Sequence, residues 1–212
     1  MKSFFTVLFI FYLASSALAQ SSYEKKLDSA INYDTQELNK KGIDTICIYK
    51  TYCVGCLLPI YASTDTVCRR QPYENNTYFF WKYQGVTWFT SKSYCFNYDS
   101  IAIKADTMWS FYNLVKNKID TKEIKSAEVT AVVQGKKTKN YVSVDHDTHE
   151  DIFLLIGGSH KNLSLTEFPF QKTIDDSQNI NYTYNCNTSI KKFQVLLDEL
   201  VHTNNGKLKK LK

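Results

Sequence analysis

The aromatic residues in the middle of the chain predict a strand followed by a helix. Residues 77–85, TYFFWKYQG, are dense in aromatics and end at a glycine, which is typical of a buried strand. Apolar and small residues then recur at helical spacing behind Thr87, a good helix N-cap. These residues are Trp88, Ser91, Cys95 and Tyr98. We therefore expect a first helix that turns Trp88 and Cys95 towards one core.

Two further segments have the spacing of amphipathic helices. One has Asp106 as its predicted cap and carries a stripe formed by Met108, Phe111, Tyr112 and Val115. The other follows Thr188 or Ser189 as cap and ends at Asn205-Gly206. Its apolar side consists of Ile190, Phe193, Leu196, Leu197, Leu200 and Val201. We expect this C-terminal helix to pack on the domain, with self-association as the alternative, and the basic tail after it to be frayed and solvated.

The segments between these helices, and those at the N-terminus, give weaker patterns. Short β-branched or aliphatic runs at 127–135, 140–145 and 151–158 predict strands, and residues 179–186 read as a last strand ending at Cys186. Residues 20–42 predict a helix or a loose stalk that ends at Gly42. Residues 43–72 look like a loop-rich, cysteine-rich segment. The pattern as a whole predicts an α+β fold.

The first twenty residues have the features of a secretory signal peptide. Lys2 precedes an apolar run from Phe4 to Leu13, and Ala17-Leu18-Ala19 forms a small-residue cleavage signal. The run is too short for a membrane anchor, which needs about 20 apolar residues. We therefore expect cleavage after Ala19 and a secreted, extracellular protein that does not insert into a membrane.

The cysteine count and the sequons agree with export. An even number of cysteines, six, favours disulfides in a secreted chain. The simplest partition is two bridges within a cluster, of unknown pairing, and one long-range bridge between Cys95 and Cys186. A redox role for the CVGC sequence is the minor alternative. The cluster comprises Cys47, Cys53, Cys56 and Cys68, and the N-glycosylation sequons lie at Asn75, Asn162, Asn181 and Asn187.

The formal net charge of +5 is mildly basic, and most lysines are interspersed with acids. A nucleic-acid footprint would need basic residues gathered on one face, so we expect no nucleic-acid partner.

The run from Thr77 to residue 117 resembles the first half of a C-type lectin-like domain. In that family a strand leads into a helix with Trp, a small residue three positions later and Cys seven positions later, matched here by Trp88, Ser91 and Cys95. An aliphatic-Ala pair follows, matched by Ile101-Ala102, and then a second helix. The resemblance implies a C-type lectin-like fold over 73–187, closed by Cys95–Cys186, with helical extensions at both ends (20–42 and 188–212).

The second half of the chain departs from the family pattern. The family's core Trp-Ile-Gly motif is at best degenerate at 132–135, and cysteines for its second disulfide are missing. Its calcium and sugar motifs are also missing. Near the expected proline, Phe168 and Phe170 flank Pro169 and offer calcium only backbone carbonyls, whereas calcium takes six to eight oxygens. The resemblance therefore implies binding of proteins, or of sugars without calcium.

The resemblance implies that ligand contacts come from the loop region between Asp145 and Gln171, where the candidate residues are Asp145, His146, Asp147, His149, Glu150 and Glu167. His146 and His149 could hold zinc with neighbouring carboxylates, but a solvated acidic loop is the simpler interpretation. We expect no metal and no cofactor. No nucleophile elbow or phosphate loop is present, and the sequence predicts no enzyme. The expected function is non-catalytic recognition of a glycan or glycoprotein, or alternatively a secreted protein-binding effector or structural protein of another fold.

Overall fold

A computed structural model describes residues 31–54, 77–93, 96–133 and 136–211. The predicted signal peptide, Cys56, Cys68, Cys95 and the sequon at Asn75 lie outside the described residues. The chain divides into two compact units, one ending at Ile43 and one beginning at Asp44. In the first unit, residues 31–40 form helix α1. Gly42 follows α1 at a φ of +75°, as predicted for a residue that ends a helix.

The second unit is built on a six-stranded antiparallel sheet with the order β4-β3-β2-β1-β7-β8. Two short hairpins, β5–β6 and β9–β10, lie outside this sheet. The sheet strands are β1 (Thr45–Val54), β2 (Thr77–Tyr83), β3 (Val86–Lys92), β4 (Ile101–Ile103), β7 (Asp147–Ile156) and β8 (Ser159–Thr166). The hairpin strands are β5 (Glu128–Val133), β6 (Lys136–Tyr141), β9 (Thr173–Ile174) and β10 (Ser177–Gln178).

In the described residues of the second unit, three α-helices and three short 3₁₀ turns accompany the strands. The helices are α2 (Asp106–Val115), α3 (Tyr182–Cys186) and α4 (Ser189–Asn204), and the 3₁₀ turns are Thr121–Glu123, Phe168–Phe170 and Asn205–Lys207. Helices α2 and α4 cover one face of the sheet. The main core lies between them and the sheet, and its fully buried members include Cys47, Phe80, Phe89, Ile152, Ile190, Phe193 and Leu197. Each large apolar side chain buried here contributes about 1.5–3 kcal/mol.

The predicted α+β, C-type lectin-like fold is wrong, because the structure is mostly β around the large sheet. The first predicted helix is the decisive difference, since Val86–Lys92 is strand β3. It pairs residue by residue with β2, for example Trp81 with Trp88 and Phe80 with Phe89. Gln84 and Gly85, both at positive φ, form the tight turn between the two strands. Alternating β-branched and aromatic residues therefore outweighed the helical spacing.

The long-range disulfide that would close a lectin-like fold is also absent, because the Cys186 thiol is free. Residues 182–186 form helix α3, not the predicted last strand. Cys47 is also free and is fully buried near the start of β1, so it is not a cross-link within the cysteine cluster. Cys53 is disulfide-bonded. The first part of the segment predicted to be loop-rich is therefore β1, which lies between β2 and β7 in the sheet.

Some of the other predicted elements are confirmed, and others differ in their bounds or their order. Strands β2, β5 and β7 occur close to their predicted positions, whereas β6 lies before the run at 140–145. Helix α2 occurs where it was predicted, but Asp106 is its first residue and not its cap, because Ala105 is the N-cap residue. Helix α4 is capped by Thr188, and Ile190, Phe193 and Leu197 of its apolar stripe are buried in the domain. The basic tail is not frayed, since Leu211 N donates to Asn97 O at 2.9 Å and Asp99 N donates to Lys209 O at 2.9 Å.

The β2–β3 turn yields a prediction about stability. Gly85 has a φ of +78°, and a Cβ added there would meet nothing within 4 Å. Gly85→Ala should therefore cost about 1–2 kcal/mol through backbone strain alone. The measurement is the free energy of unfolding in urea. Gly206, which also has open space but no positive φ, is the matched control. Equal effects of Gly85→Ala and Gly206→Ala would contradict the hairpin.

Candidate ligand-binding site

The structure separates the six predicted ligand residues. Asp145 and His146 lie in the exposed bend before β7, Asp147 begins that strand, and Glu167 follows β8. The predicted solvated loop is therefore largely a strand. His149 and Glu150 are consecutive in β7 and so point to opposite faces of the sheet.

Of the six, His146 and Asp147 line a groove of about 410 Å³ that we call the loop groove. One side of the groove is the segment Val142–Asp147, and the other is the stretch from Phe168 to Asp175. Polar lining is provided by Ser143, His146, Gln171, Thr173 and Asp175.

The base of the loop groove is a small apolar cluster separate from the main core. Phe168 and Ile174 are buried together with Ala127, and Val129 and Val142 pack against them. Asp147 joins the two sides, because its Oδ1 accepts a hydrogen bond from Thr148 N at 2.8 Å and its Oδ2 accepts one from Phe168 N at 3.0 Å. Its carboxylate therefore holds the groove together.

Two buried asparagines that sequence reasoning missed fix the turn Phe168–Phe170. Asn179 Nδ2 donates to Pro169 O at 3.1 Å and to Gln171 O at 3.0 Å. Asn185 Nδ2 donates to the same Pro169 oxygen at 3.0 Å and to Lys125 O at 2.8 Å. These side-chain amides therefore satisfy backbone carbonyl groups of the loop that have no hydrogen-bond partner in a strand. Sequence patterns give no signal for these pairings, which span up to 60 residues.

The zinc alternative finds no support in the described residues. His149 lies on the sheet face away from Glu150 and stacks on Tyr52, with ring centroids 5.4 Å apart. Within the described part of the chain, no three His, Cys, Asp or Glu side chains are grouped closely enough to hold a metal ion.

Glu150 belongs to a polar cluster between the sheet and α4, formed with Tyr49, Gln194 and Asp198. Tyr49 Oη donates to Asp198 Oδ1 at 2.6 Å, and Gln194 Nε2 donates to Glu150 Oε1 at 3.1 Å. Gln194 Nε2 also donates to Asp198 Oδ2 and lies 3.4 Å from Tyr49 Oη. Gln194 is 1% exposed, whereas Asp198 lies at the solvent-exposed edge. In the sequence, the feature that points to this cluster is Gln194, which directly follows Phe193 of the apolar stripe of α4.

The cluster shifts the titration of its carboxyl groups. Burial, and secondly the charge of Asp198, raise the pKa of Glu150 to about 7, while Lys191 opposes the shift. Burial also raises the pKa of Asp198, against the hydrogen bond from Tyr49 and the charge of Lys191. Burial raises the pKa of the Tyr49 hydroxyl, which therefore stays a donor. None of the four residues lines the loop groove. The cluster thus links α4 to β1 and β7.

Comparisons with known proteins add nothing to this geometry. No protein-family model matches the chain, and no curated protein and no solved structure matches it. In the described residues, no helix is long and apolar enough to cross a membrane. The functional argument therefore rests on the residues themselves.

The polar cluster predicts that stability falls as the pH rises through neutrality. The folded protein binds the Glu150 proton more tightly than the unfolded chain does, because the pKa rises from 4.5 to about 7. This contribution is complete below about pH 4.5 and is lost as the pH passes through 7. Glu150→Gln should therefore stabilise the protein by about 2–3 kcal/mol at pH 8 and have little effect at pH 4.5.

Thermal and urea unfolding of both proteins between pH 4.5 and 8 would test this expectation. Glu199→Gln is the control, since Glu199 is an exposed carboxylate on the same helix outside the cluster. It should leave the pH dependence unchanged. The same stability gain for Glu150→Gln at both ends of the pH range would show that Glu150 is not the titrating group.

Proposed function

We propose that this chain is a secreted, non-catalytic recognition protein that binds a carbohydrate ligand, free or on a glycoprotein, in the loop groove. The carrying observation is the combination of polar lining and apolar base in a groove of about 410 Å³. That volume is within the usual range for small-ligand sites. The proposal does not depend on a lectin-like fold, which the chain does not have.

The lining of the loop groove suits a sugar chemically. The hydroxyls of Ser143 and Thr173 and the amide of Gln171 can both donate and accept hydrogen bonds, as sugar hydroxyls require. Asp175 adds an acceptor, and His146 adds a ring that can donate or accept. Phe168 supplies apolar surface at the base. All these groups can bind a saccharide directly, without a bridging calcium ion.

The second candidate is recognition of a protein, as in a secreted effector or structural protein. The observation that favours it is the exposed apolar surface in the chain that leads into the groove. Tyr141 is 78% exposed and Val144 is 42% exposed. Tyrosine is a frequent anchor residue in protein interfaces. A partner that binds equally well after removal of its glycans would favour this candidate.

Variants of the loop groove test the carbohydrate proposal. Labelled protein would be screened on a glycan array with and without a chelator, and the affinity for any glycan found would be measured by calorimetry. His146→Ala and Gln171→Ala should each weaken binding about tenfold, because each removes one hydrogen bond of about 1–1.5 kcal/mol. The chelator should have no effect.

His160→Ala is the matched control, because His160 is an exposed histidine on β8 that does not line the loop groove. It should bind like the wild-type protein. Absence of saturable glycan binding, or equal losses in the control, would contradict the proposal.

Secretion implies a prediction about glycosylation. Asn162 is exposed on β8 and is free to carry a glycan. Asn181 Nδ2 instead donates to Ser126 O at 3.0 Å and to Glu128 Oε2 at 3.1 Å. A glycan on that nitrogen would disturb both bonds. In protein secreted from eukaryotic cells, Asn162 should therefore be occupied more fully than Asn181.

Peptide mass spectrometry before and after enzymatic deglycosylation measures the two occupancies. Higher occupancy at Asn181 than at Asn162 would contradict the prediction.

A further inference from the structure

A second groove, which we call the helix groove, lies between α2 and α4 beside the end of β4. Its volume is about 550 Å³. Ala105 and Met108 form a buried floor, and Ile103, Leu196 and Leu200 form half-buried walls. All five side chains are apolar and come from regular elements or their caps. Thr107 and Thr203 add hydroxyl groups to the lining, so the groove is a ligand-sized site with an apolar floor and polar edges.

The rim of the helix groove is charged, with an excess of cations. Lys104 lies on one side and Lys207 on the other, while Glu199 is the anionic residue of the lining. The local sum is one positive charge. In the described part of the chain, Lys104 forms no ion pair that would neutralise it.

Lys207 is held in place by the structure around it. Its Nζ donates to Asn204 Oδ1 at 2.9 Å, and Asn204 Nδ2 donates to Leu200 O at 2.8 Å. Asn204 is only 6% exposed, so it is a fixed acceptor that orients the lysine at the rim. Behind Lys207, the backbone hydrogen bonds from the tail to Asn97 and Asp99 fix the chain. A positioned cation above an apolar trough is suited to an anionic head group on an apolar chain.

We propose that the helix groove binds a single-chain carboxylate amphiphile, such as a medium-chain fatty acid. The chain lies on Met108, Leu196 and Leu200, and the carboxylate accepts hydrogen bonds from Lys104 and Lys207. This site is separate from the loop groove and does not depend on carbohydrate binding. The charged rim favours this occupant over a second copy of the chain, which would bury both lysines against a surface that is itself mildly basic.

The test uses an environment-sensitive fatty acid, dansylamino-undecanoic acid, whose fluorescence rises on transfer to an apolar site. Dodecanoic acid and the uncharged dodecanol then compete for the bound probe. The wild-type protein should bind the probe saturably, and dodecanoic acid should displace it better than dodecanol.

Charge and shape of the helix groove are tested separately. Lys104→Met with Lys207→Met should weaken competition by dodecanoic acid about tenfold and leave that by dodecanol nearly unchanged, because charged hydrogen bonds are lost. Leu200→Trp should fill the groove and abolish binding of the probe. Lys192→Met is the matched control, since Lys192 is an exposed lysine of α4 outside the groove. Circular dichroism checks that each variant is folded.

Several outcomes would overturn the proposal. These are absence of saturable probe binding, equal competition by the acid and the alcohol, equal losses in Lys192→Met, and probe binding that persists in folded Leu200→Trp protein. Loss of probe binding in the loop-groove variant His146→Ala would also overturn it, because the probe would then occupy the other site. Self-association through the groove would appear in sedimentation as a dimer that the fatty acid dissociates, and that result would replace the proposed occupant.

Discussion

The packing of helix α4 on the sheet is the contact on which the rest of the structure depends. Ile190, Phe193 and Leu197 are fully buried against residues of the central strands and of α2. Phe193 lies between two rings of α2, with centroids 6.5 Å from Phe111 and 5.7 Å from Tyr112. Without this helix, the part of the sheet face that α2 does not cover would be exposed. Because so much apolar area meets at one helix, its position on the sheet determines where the neighbouring sites can form.

The helix groove and the loop groove both depend on the position of α4, but through different contacts. The side of α4 that turns away from the sheet centre supplies Leu196 and Leu200 to the helix groove. At the other end of α4, Thr188 Oγ1 donates to Asn185 O at 2.7 Å, and Asn185 holds the turn that borders the loop groove. The polar cluster lies between these ends. It contributes little net stability at neutral pH, because a buried carboxyl group beside Asp198 is costly in its charged form. Its hydrogen bonds join α4 to β1 and β7.

The elements that were predicted from the sequence are those whose local residue pattern is enough to determine their structure. Helices α2 and α4 have wide apolar stripes and clear ends, so the local pattern and the tertiary packing agree. The pattern failed at Val86–Lys92, where helical spacing and strand alternation were both present. Trp88 and Ser91 lie three residues apart, which would place them on one side of a helix but places them on opposite faces of β3. The turn at Gln84-Gly85 was the local signal that favoured the hairpin.

The site was predicted less well than the helices, for a physical reason. The sequence pointed to His146 and Asp147 because charged residues cluster along that part of the chain. Glu150 belongs to the same charged run, but it lies three residues after Asp147 in β7 and therefore points to the opposite face of the sheet. Tyr49, Gln194 and Asn179 were missed because their roles arise only from contacts across the fold. A single Asn or Gln in sequence looks like any other exposed amide until burial removes its water. The surroundings of these polar side chains therefore depend on contacts across the fold, and a motif that resembles another family cannot supply that information.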